Sequence, residues 1–148
     1  MSPCPASTIT PQLPLTPNEN DMSHFRFGKN KIVYKGIMFN IHQREVTFPN
    51  GLKKMFEYCE RPTSVTIMAF NDKNELMMIK EHRPGFKHAV WFLPAGMVDY
   101  KGEPPRRAAM RELREETGYA AKTLKLIQKK SPSSKLIWDI YLYAAKDL

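Results

Sequence analysis

Apolar and polar residues alternate along several short segments in the first half of the chain. Alternation with a period of two is typical of strands that bury one face, and it predicts strands at residues 31–35, 37–41, 44–48 and 52–58. Asn50 and Gly51 lie between the last two segments, where an Asn-Gly pair favours the tight turn of a hairpin. The pattern therefore predicts an N-terminal antiparallel β-sheet region over residues 23–60.

A second group of apolar segments predicts the strands of a main sheet. Residues 64–70 and 75–81 are separated by a turn at residues 71–74, and two further segments follow at 123–128 and 136–143. A single helical segment lies between these two pairs of strands. Strands arranged around a helix in this way indicate a mixed α/β fold.

The helical segment begins at Pro104-Pro105 and ends before Gly118. Proline is tolerated in the first turn of a helix, and glycine just past the end supplies the left-handed cap. Glu112, Glu115 and Glu116 are spaced by three and four residues, so their carboxylates share one face. That face is either a solvated acidic surface offset by four arginines of the same helix, or a site for a hard cation such as Mg²⁺. Spacing alone leaves both interpretations open.

The residue order around this helix resembles the Nudix box. The matching residues are Arg111-Glu112-Leu113-x-Glu115-Glu116-x-Gly118-Tyr119, with Glu103 and Gly96 upstream. The resemblance implies a Nudix α/β/α sandwich with a mixed sheet at residues 61–148. It also implies hydrolysis of a nucleoside diphosphate linked to another group, with Mg²⁺ or Mn²⁺ as cofactor. One departure is a sixth residue between Gly96 and Glu103, where the family pattern has five, in the turn at residues 99–102.

The resemblance also implies roles for individual residues of the box. Glu112 and Glu116 would be the main metal ligands and catalytic residues, with Glu115 a further ligand or a group that positions water. The backbone carbonyl of Ala95 would complete the metal site. The residues that would hold the ligand carboxylates in place are Arg111, Glu103 and Gly96.

The segments before the box resemble the ADP-ribose pyrophosphatase subgroup of the family. A strand, a Pro-Asn-Gly hairpin and then a Glu-x-x-x-Arg-Pro-like junction precede Trp91-Phe92-Leu93-Pro94-Ala95-Gly96. The resemblance implies hydrolysis of ADP-ribose to AMP and ribose 5-phosphate, and a homodimer formed through the N-terminal sheet. Arg83 and Arg61 are candidates for substrate contacts. Trp91 is either another such contact or a core aromatic.

Bulk properties narrow the setting of the protein. The 148 residues suit one domain, and the net charge of +8 suits an anionic partner such as a nucleotide or RNA. Two cysteines make no disulfide framework, and no apolar run has the length of a membrane span, so we expect a cytoplasmic protein. Residues 1–22, rich in Pro, Ser and Thr, are predicted to form a flexible tail.

Two alternatives to the nucleotide-sugar substrate stay open. One is a Nudix hydrolase that acts on RNA 5′ ends or dinucleoside polyphosphates, and the other is a non-catalytic module that binds nucleotide or RNA. The family usually continues past the last predicted strand with a loop that often supplies the glutamate proposed as general base. We expect that segment to be missing here. Either the chain is a natural short form or a fragment, or a box carboxylate such as Glu115 takes the role of the base.

Overall fold

The computed structural model describes residues 24–99 and 102–148. The tail predicted at residues 1–22 lies outside these ranges, as do Tyr100 and Lys101 of the turn that holds the extra residue. The described residues form, in chain order, β1 (Arg26–Phe27), β2 (Lys31–Lys35), β3 (Asn40–Thr47), β4 (Lys53–Glu60), β5 (Ser64–Phe70), β6 (Leu76–Met77), β7 (Ile79–Glu81), β8 (Val90–Phe92), β9 (Ala95–Met97), α1 (Pro105–Thr117), β10 (Thr123–Lys130), β11 (Leu136–Ile137) and β12 (Ile140–Lys146).

The chain divides into two compact units, and β3 and β4 each contribute residues to both. Of the described residues, the first unit holds 24–29 and 44–56, and the second holds 30–43 and 57–148. The domain boundary between residues 60 and 61 stays a prediction.

The first unit is built around the predicted hairpin turn. The amide of Gly51 donates to the carbonyl of Phe48 at 2.9 Å, and the amide of Phe48 donates to the carbonyl of Leu52 at 2.8 Å. Gly51 has a φ of 82°, a left-handed conformation that glycine adopts without a steric penalty. β1 pairs antiparallel with the end of β3, with Phe27 opposite Val46. The turn expected from the Asn-Gly pair is confirmed.

Sheets of the second unit combine parallel and antiparallel pairs. The larger sheet has the order β10-β12-β5-β6, and β9 also pairs with β5. Its β12 and β5 are parallel, whereas β10, β6 and β9 pair antiparallel with their neighbours. β2 pairs antiparallel with the start of β3, β11 pairs parallel with the end of β4, and β7 and β8 form a two-stranded ladder.

The core of the second unit lies between β5 and α1. Val65, Ile67 and Ala69 alternate along β5 and are fully buried. Ala109 and Leu113 of α1 are fully buried in the same cluster. The helix is therefore anchored by its apolar face.

The ends of α1 agree with the predicted stop signals. Pro105 is the first helical residue, and Pro104 takes the extended conformation of the preceding cap position. Gly118 has a φ of 78°, and its amide donates to the carbonyl of Arg114 at 2.9 Å. This left-handed cap satisfies a carbonyl that would otherwise lack a partner at the helix end.

Four predicted strands are wrong in extent. The strands expected at 37–41 and 44–48 form the single strand β3, which begins only at Asn40 because a turn joins the Gly36 amide to the Phe39 carbonyl at 2.9 Å. The segment 75–81 divides at Met78 into β6 and β7, which pair with different strands. The segment 136–143 divides in the same way, because β11 pairs with β4 and β12 with β5. Alternation does not reveal which partner a strand has.

The predicted mixed α/β fold class is confirmed. Within residues 24–99 and 102–148 the structure contains one helix, and the rest of the regular structure is sheet. No helix in these ranges is long and apolar enough to cross a membrane.

Replacing Leu113 by alanine tests the contact between helix and sheet. We expect Leu113→Ala to lower the free energy of unfolding by about 2–5 kcal/mol, because the buried side chain leaves a cavity. Met110→Ala is the matched control, since Met110 lies on the same helix and is 41% exposed. Urea unfolding measures both variants, and equal losses would contradict the placement of the core.

Candidate functional site

Helix α1 presents three carboxylates in different environments. Glu112 is buried, Glu116 is half-buried, and the side chain of Glu115 is 58% exposed. Burial raises the pKa of both Glu112 and Glu116, because a low-dielectric environment disfavours their charged forms. The charge of Glu112 raises the pKa of Glu116 further. The face predicted from helical spacing therefore combines two desolvated carboxylates with an exposed one.

Strand β9 lies directly against these carboxylates. The amide of Ala95 donates to Oε2 of Glu116 at 2.9 Å. Gly96 packs so closely that a Cβ placed on it would lie 1.9 Å from Cδ of Glu112. Glycine is therefore required at position 96 for the carboxylate of Glu112 to occupy its place. The sequence singled out Gly96 without showing this contact.

Arg111 connects the loop before the helix with the helix itself. Its Nε and Nη2 donate to the two carboxylate oxygens of Glu103, each at 3.2 Å, and Nη2 also donates to the carbonyl of Met97 at 3.0 Å. Its Nη1 lies 2.8 Å from Oε1 of Glu112 and 3.2 Å from Oε2 of Glu115. Asp99 completes the group at 3.1 Å from Nη1.

The pKa values of this network follow from its pairing. The hydrogen bonds from Arg111 lower the pKa of Glu103, which is buried and also accepts from the amide of Asp99 at 3.1 Å. The same bonds to Glu103 raise the pKa of Arg111. Both groups are therefore held in their charged forms.

The residue types at this site suit a hard divalent cation, which prefers carboxylate and carbonyl oxygens. Two desolvated carboxylates with raised pKa values would gain from an added positive charge. In the part of the chain that the structure describes, however, no three Asp, Glu, His or Cys side chains are arranged around a common metal position. Arg111 instead holds oxygens of Glu112 and Glu115. The donors fit a metal chemically, while the ligand set stays a prediction.

A cavity of about 280 Å³ opens beside β5 and β9. Its lining includes both arginines that we proposed from the sequence as substrate contacts. It also includes residues of β9, the strand that packs on Glu112 and Glu116. The residues that line it are Arg61, Ser64, Val65, Thr66, Arg83, Ala95, Gly96, Met97 and Trp138. We call this cavity the arginine pocket.

The two arginines of the pocket are held differently. Arg83 forms an ion pair with Glu81, and its guanidinium carbon lies 4.1 Å from the ring centroid of Phe92. Arg61 stacks on Trp138, with its guanidinium carbon 3.9 Å from the ring centroid. The charge of Glu81 raises the pKa of Glu116, and the charge of Arg83, its ion-pair partner, lowers it.

Trp91 is not among the residues that line the arginine pocket. It is 56% exposed, and Nζ of Lys80 lies 5.4 Å from its ring centroid. The sequence missed Trp138 and Ser64 as lining residues. Trp138 could have been found only from the pairing of β11 with β4, since nothing in its own segment distinguishes it from a strand aromatic.

Comparison with known proteins identifies the family of the chain. The NUDIX domain family model matches residues 60–146, which is more than half of the chain. The chain therefore belongs to the Nudix family, and the resemblance read from its box is confirmed.

Individual proteins of known name are also similar to this chain. An ADP-ribose pyrophosphatase of Bacillus subtilis is 35% identical over 92 residues, covering 62% of this chain and 49% of that protein. A methanol dehydrogenase activator of Bacillus methanolicus is 31% identical over 121 residues, covering 81% of this chain and 65% of that protein. A crystal structure of an ADP compounds hydrolase superimposes with a TM-score of 0.73 at 26% identity, covering 84% of this chain and 68% of that one. The chain spans less than two thirds of the length of the first two relatives.

Replacing Gly96 by alanine tests its contact with Glu112. We expect Gly96→Ala to lower the free energy of unfolding by about 1–3 kcal/mol, because the new Cβ overpacks against a carboxylate that Arg111 holds from another side. Glu112→Asp shortens that side chain by one methylene. The shorter side chain leaves room for the new Cβ, so the double variant should lose less free energy of unfolding than the two single variants lose together. Urea unfolding of the three variants measures this coupling, and simple additivity would contradict the contact.

Proposed function

We propose that the protein is a metal-dependent Nudix pyrophosphohydrolase that acts on a nucleoside diphosphate sugar, with ADP-ribose split into AMP and ribose 5-phosphate. The observation that carries the proposal is the arginine pocket, where Arg61 and Arg83 line the same cavity as Ala95 and Gly96. Ala95 and Gly96 in turn contact Glu116 and Glu112. The similarity to the ADP-ribose pyrophosphatase of Bacillus subtilis supports this choice of substrate.

The charges of the site suit a pyrophosphate group. Guanidinium groups bind phosphate oxygens through planar pairs of N–H donors, so Arg61 and Arg83 would hold the diphosphate in the pocket. A divalent cation bound by Glu112 and Glu116, with the Ala95 carbonyl as a further ligand, would neutralise phosphate charge and lower the pKa of water. Mg²⁺ and Mn²⁺ both suit these oxygen ligands.

Hydrolysis consumes one water molecule. The water oxygen bonds to one phosphorus while the bridging P–O bond of the diphosphate breaks, and a carboxylate takes the proton. Glu115 is the box carboxylate most open to solvent, so it is our candidate for this base. The products are two phosphomonoesters. Arg111 would keep Glu112 and Glu115 oriented without contacting the substrate.

Hydrolysis of a substrate panel by the wild-type chain and by Glu116→Gln tests this proposal. We expect release of AMP from ADP-ribose with Mg²⁺ or Mn²⁺, and little turnover of diadenosine polyphosphate or 5′-triphosphate RNA. The glutamine can still accept from the Ala95 amide but lacks the negative charge. Mutating a residue that only contacts a metal ligand typically lowers metal affinity or activity by roughly 10- to 100-fold. Glu116 is proposed to bind the metal itself, so we expect kcat to fall by at least that factor.

Glu75→Gln is the matched control for this experiment. It makes the same chemical change at an exposed turn carboxylate that bonds to Asn71, far along the chain from the box. If the protein hydrolyses RNA or dinucleoside polyphosphates but not ADP-ribose, the proposed substrate is wrong. Binding of nucleotide without turnover of any substrate would favour a non-catalytic module.

We infer in addition that the protein forms a homodimer through its N-terminal sheet. Large apolar side chains of the first unit are exposed on β4, where a folded monomer usually buries one face. The more exposed of them is Met55 at 60%, beside Phe56 at 39%. A second copy that covers these side chains would remove them from water.

A charge placed on this surface should disrupt the dimer. We expect the wild-type protein to sediment at twice its chain mass of 17.2 kDa. Met55→Glu should sediment at the monomer mass, because association would desolvate a carboxylate. Gln128→Glu introduces the same charge on β10 and should leave the dimer intact. A monomeric wild-type protein would overturn this inference.

A further inference from the structure

Arg61 and Trp138 are brought together by the parallel register of two strands. Glu60 at the end of β4 lies opposite Ile137 at the end of β11, so Arg61 and Trp138 follow their strands side by side. The amide of Arg61 donates to the carbonyl of Ile137 at 3.1 Å, which continues this register past the strand ends. The two side chains are therefore neighbours through the backbone as well as through their own contact.

The indole of Trp138 is itself fixed. Its Nε1 donates to Oγ of Ser64 at 2.8 Å, and Ser64 is only 8% exposed. The amide of Ser64 donates to the carbonyl of Asp139 at 2.9 Å. One edge of the ring is thus tied to the start of β5, and its face is available for stacking.

The guanidinium of Arg61 stacks on that face at 3.9 Å and also lies 5.6 Å from the ring centroid of Phe39. An arginine stacked on an aromatic ring keeps its N–H donors in a plane, where they can meet the oxygens of an anion. Stacking on the fixed indole restricts rotation of the side chain. The geometry suits a receptor for phosphate oxygens that is oriented before the ligand arrives.

Arg61 also lacks the partners that a structural arginine usually has. Within residues 24–99 and 102–148 it forms no ion pair with a carboxylate, and its buried Nε has no hydrogen-bond acceptor. A buried donor without an acceptor costs free energy. Arg83, the other arginine of the pocket, is paired with Glu81. Arg61 lines the pocket without a carboxylate partner among the described residues, so its positive charge is available to a ligand anion.

We propose that Trp138 is a positioning residue that orients Arg61 toward the pyrophosphate of the substrate. Trp138 acts through Arg61: the Ser64 hydrogen bond fixes the indole, and the indole fixes the guanidinium. This inference rests on the proposed function for the identity of the substrate. Arg61 would bind the substrate through phosphate oxygens. Inorganic pyrophosphate carries the same oxygens, so its binding can be measured without turnover.

A double-mutant cycle between Trp138→Leu and Arg61→Ala tests the proposal. We expect Trp138→Leu to raise KM for ADP-ribose about tenfold, within the range of a desolvated cation–π contact, with kcat changed less than about twofold. Trp138→Phe keeps an aromatic ring and should recover part of the loss. In the Arg61→Ala background, Trp138→Leu should raise KM by less than about twofold more, because the group it orients is gone.

Calorimetric titration with pyrophosphate and with ADP-ribose, in the presence of EDTA, measures the dissociation constants of the same four proteins. The double-mutant cycle can then be calculated from binding alone. Ile137→Ala is the matched control, since Ile137 precedes Trp138 in the chain but its own side chain does not line the pocket. Effects of the two mutations that simply add, or a fall in kcat with KM unchanged, would overturn the role of Trp138. A chain that binds ADP-ribose but hydrolyses nothing would overturn the proposed function alone, and the binding cycle would still decide the inference. A chain that binds neither ligand would overturn both.

Discussion

Arg111 places one cation among four carboxylates, and the geometry of the site depends on it. Its fork binds Glu103 through two nitrogens, while Nη1 lies within 3.2 Å of carboxylate oxygens of Glu112, Glu115 and Asp99. The side chain of Glu103 is 1% exposed, so its charge must be paired within the protein. A lysine has a single charged nitrogen and would not span the same oxygens in one plane. The loop and the helix face are consequently fixed to each other by one side chain.

The arginine pocket lies where the chain passes from one parallel strand pair to another. β4 and β11 are parallel neighbours, and the segments that follow them lead into β5 and β12, which are also parallel neighbours with Ser64 opposite Ile140. Residues in these two segments belong to neither ladder. Arg61 and Trp138 lie there, and both line the pocket. There the two side chains stack on each other beside the cavity and not within either ladder.

Local signals and long-range pairing explain what the sequence did and did not predict. The helix, its glycine cap and the shared face of three glutamates depend on spacings of a few residues, so they could be read directly. The breaks at Met78 and between Ile137 and Ile140 depend on which strand lies alongside, and alternation does not contain that information. Trp138 was missed for the same reason, whereas Trp91 attracted attention only by its position next to the box. The close approach of Gly96 to Glu112 joins two residues sixteen positions apart, and it could be suspected from the motif but not measured.

Arg61 does not pair with the glutamates of the box. Glu112 and Glu116 lie on one side of β9 with raised pKa values, and Arg61, on the pocket, has no carboxylate partner among the described residues. A bare anion would be attracted by Arg61 and repelled by the glutamates, while a bare cation would experience the reverse. A pyrophosphate that carries its own divalent cation would meet both sides favourably. We therefore infer that Arg61 and the two desolvated carboxylates suit the two halves of one ligand, a diphosphate and the divalent cation that it carries.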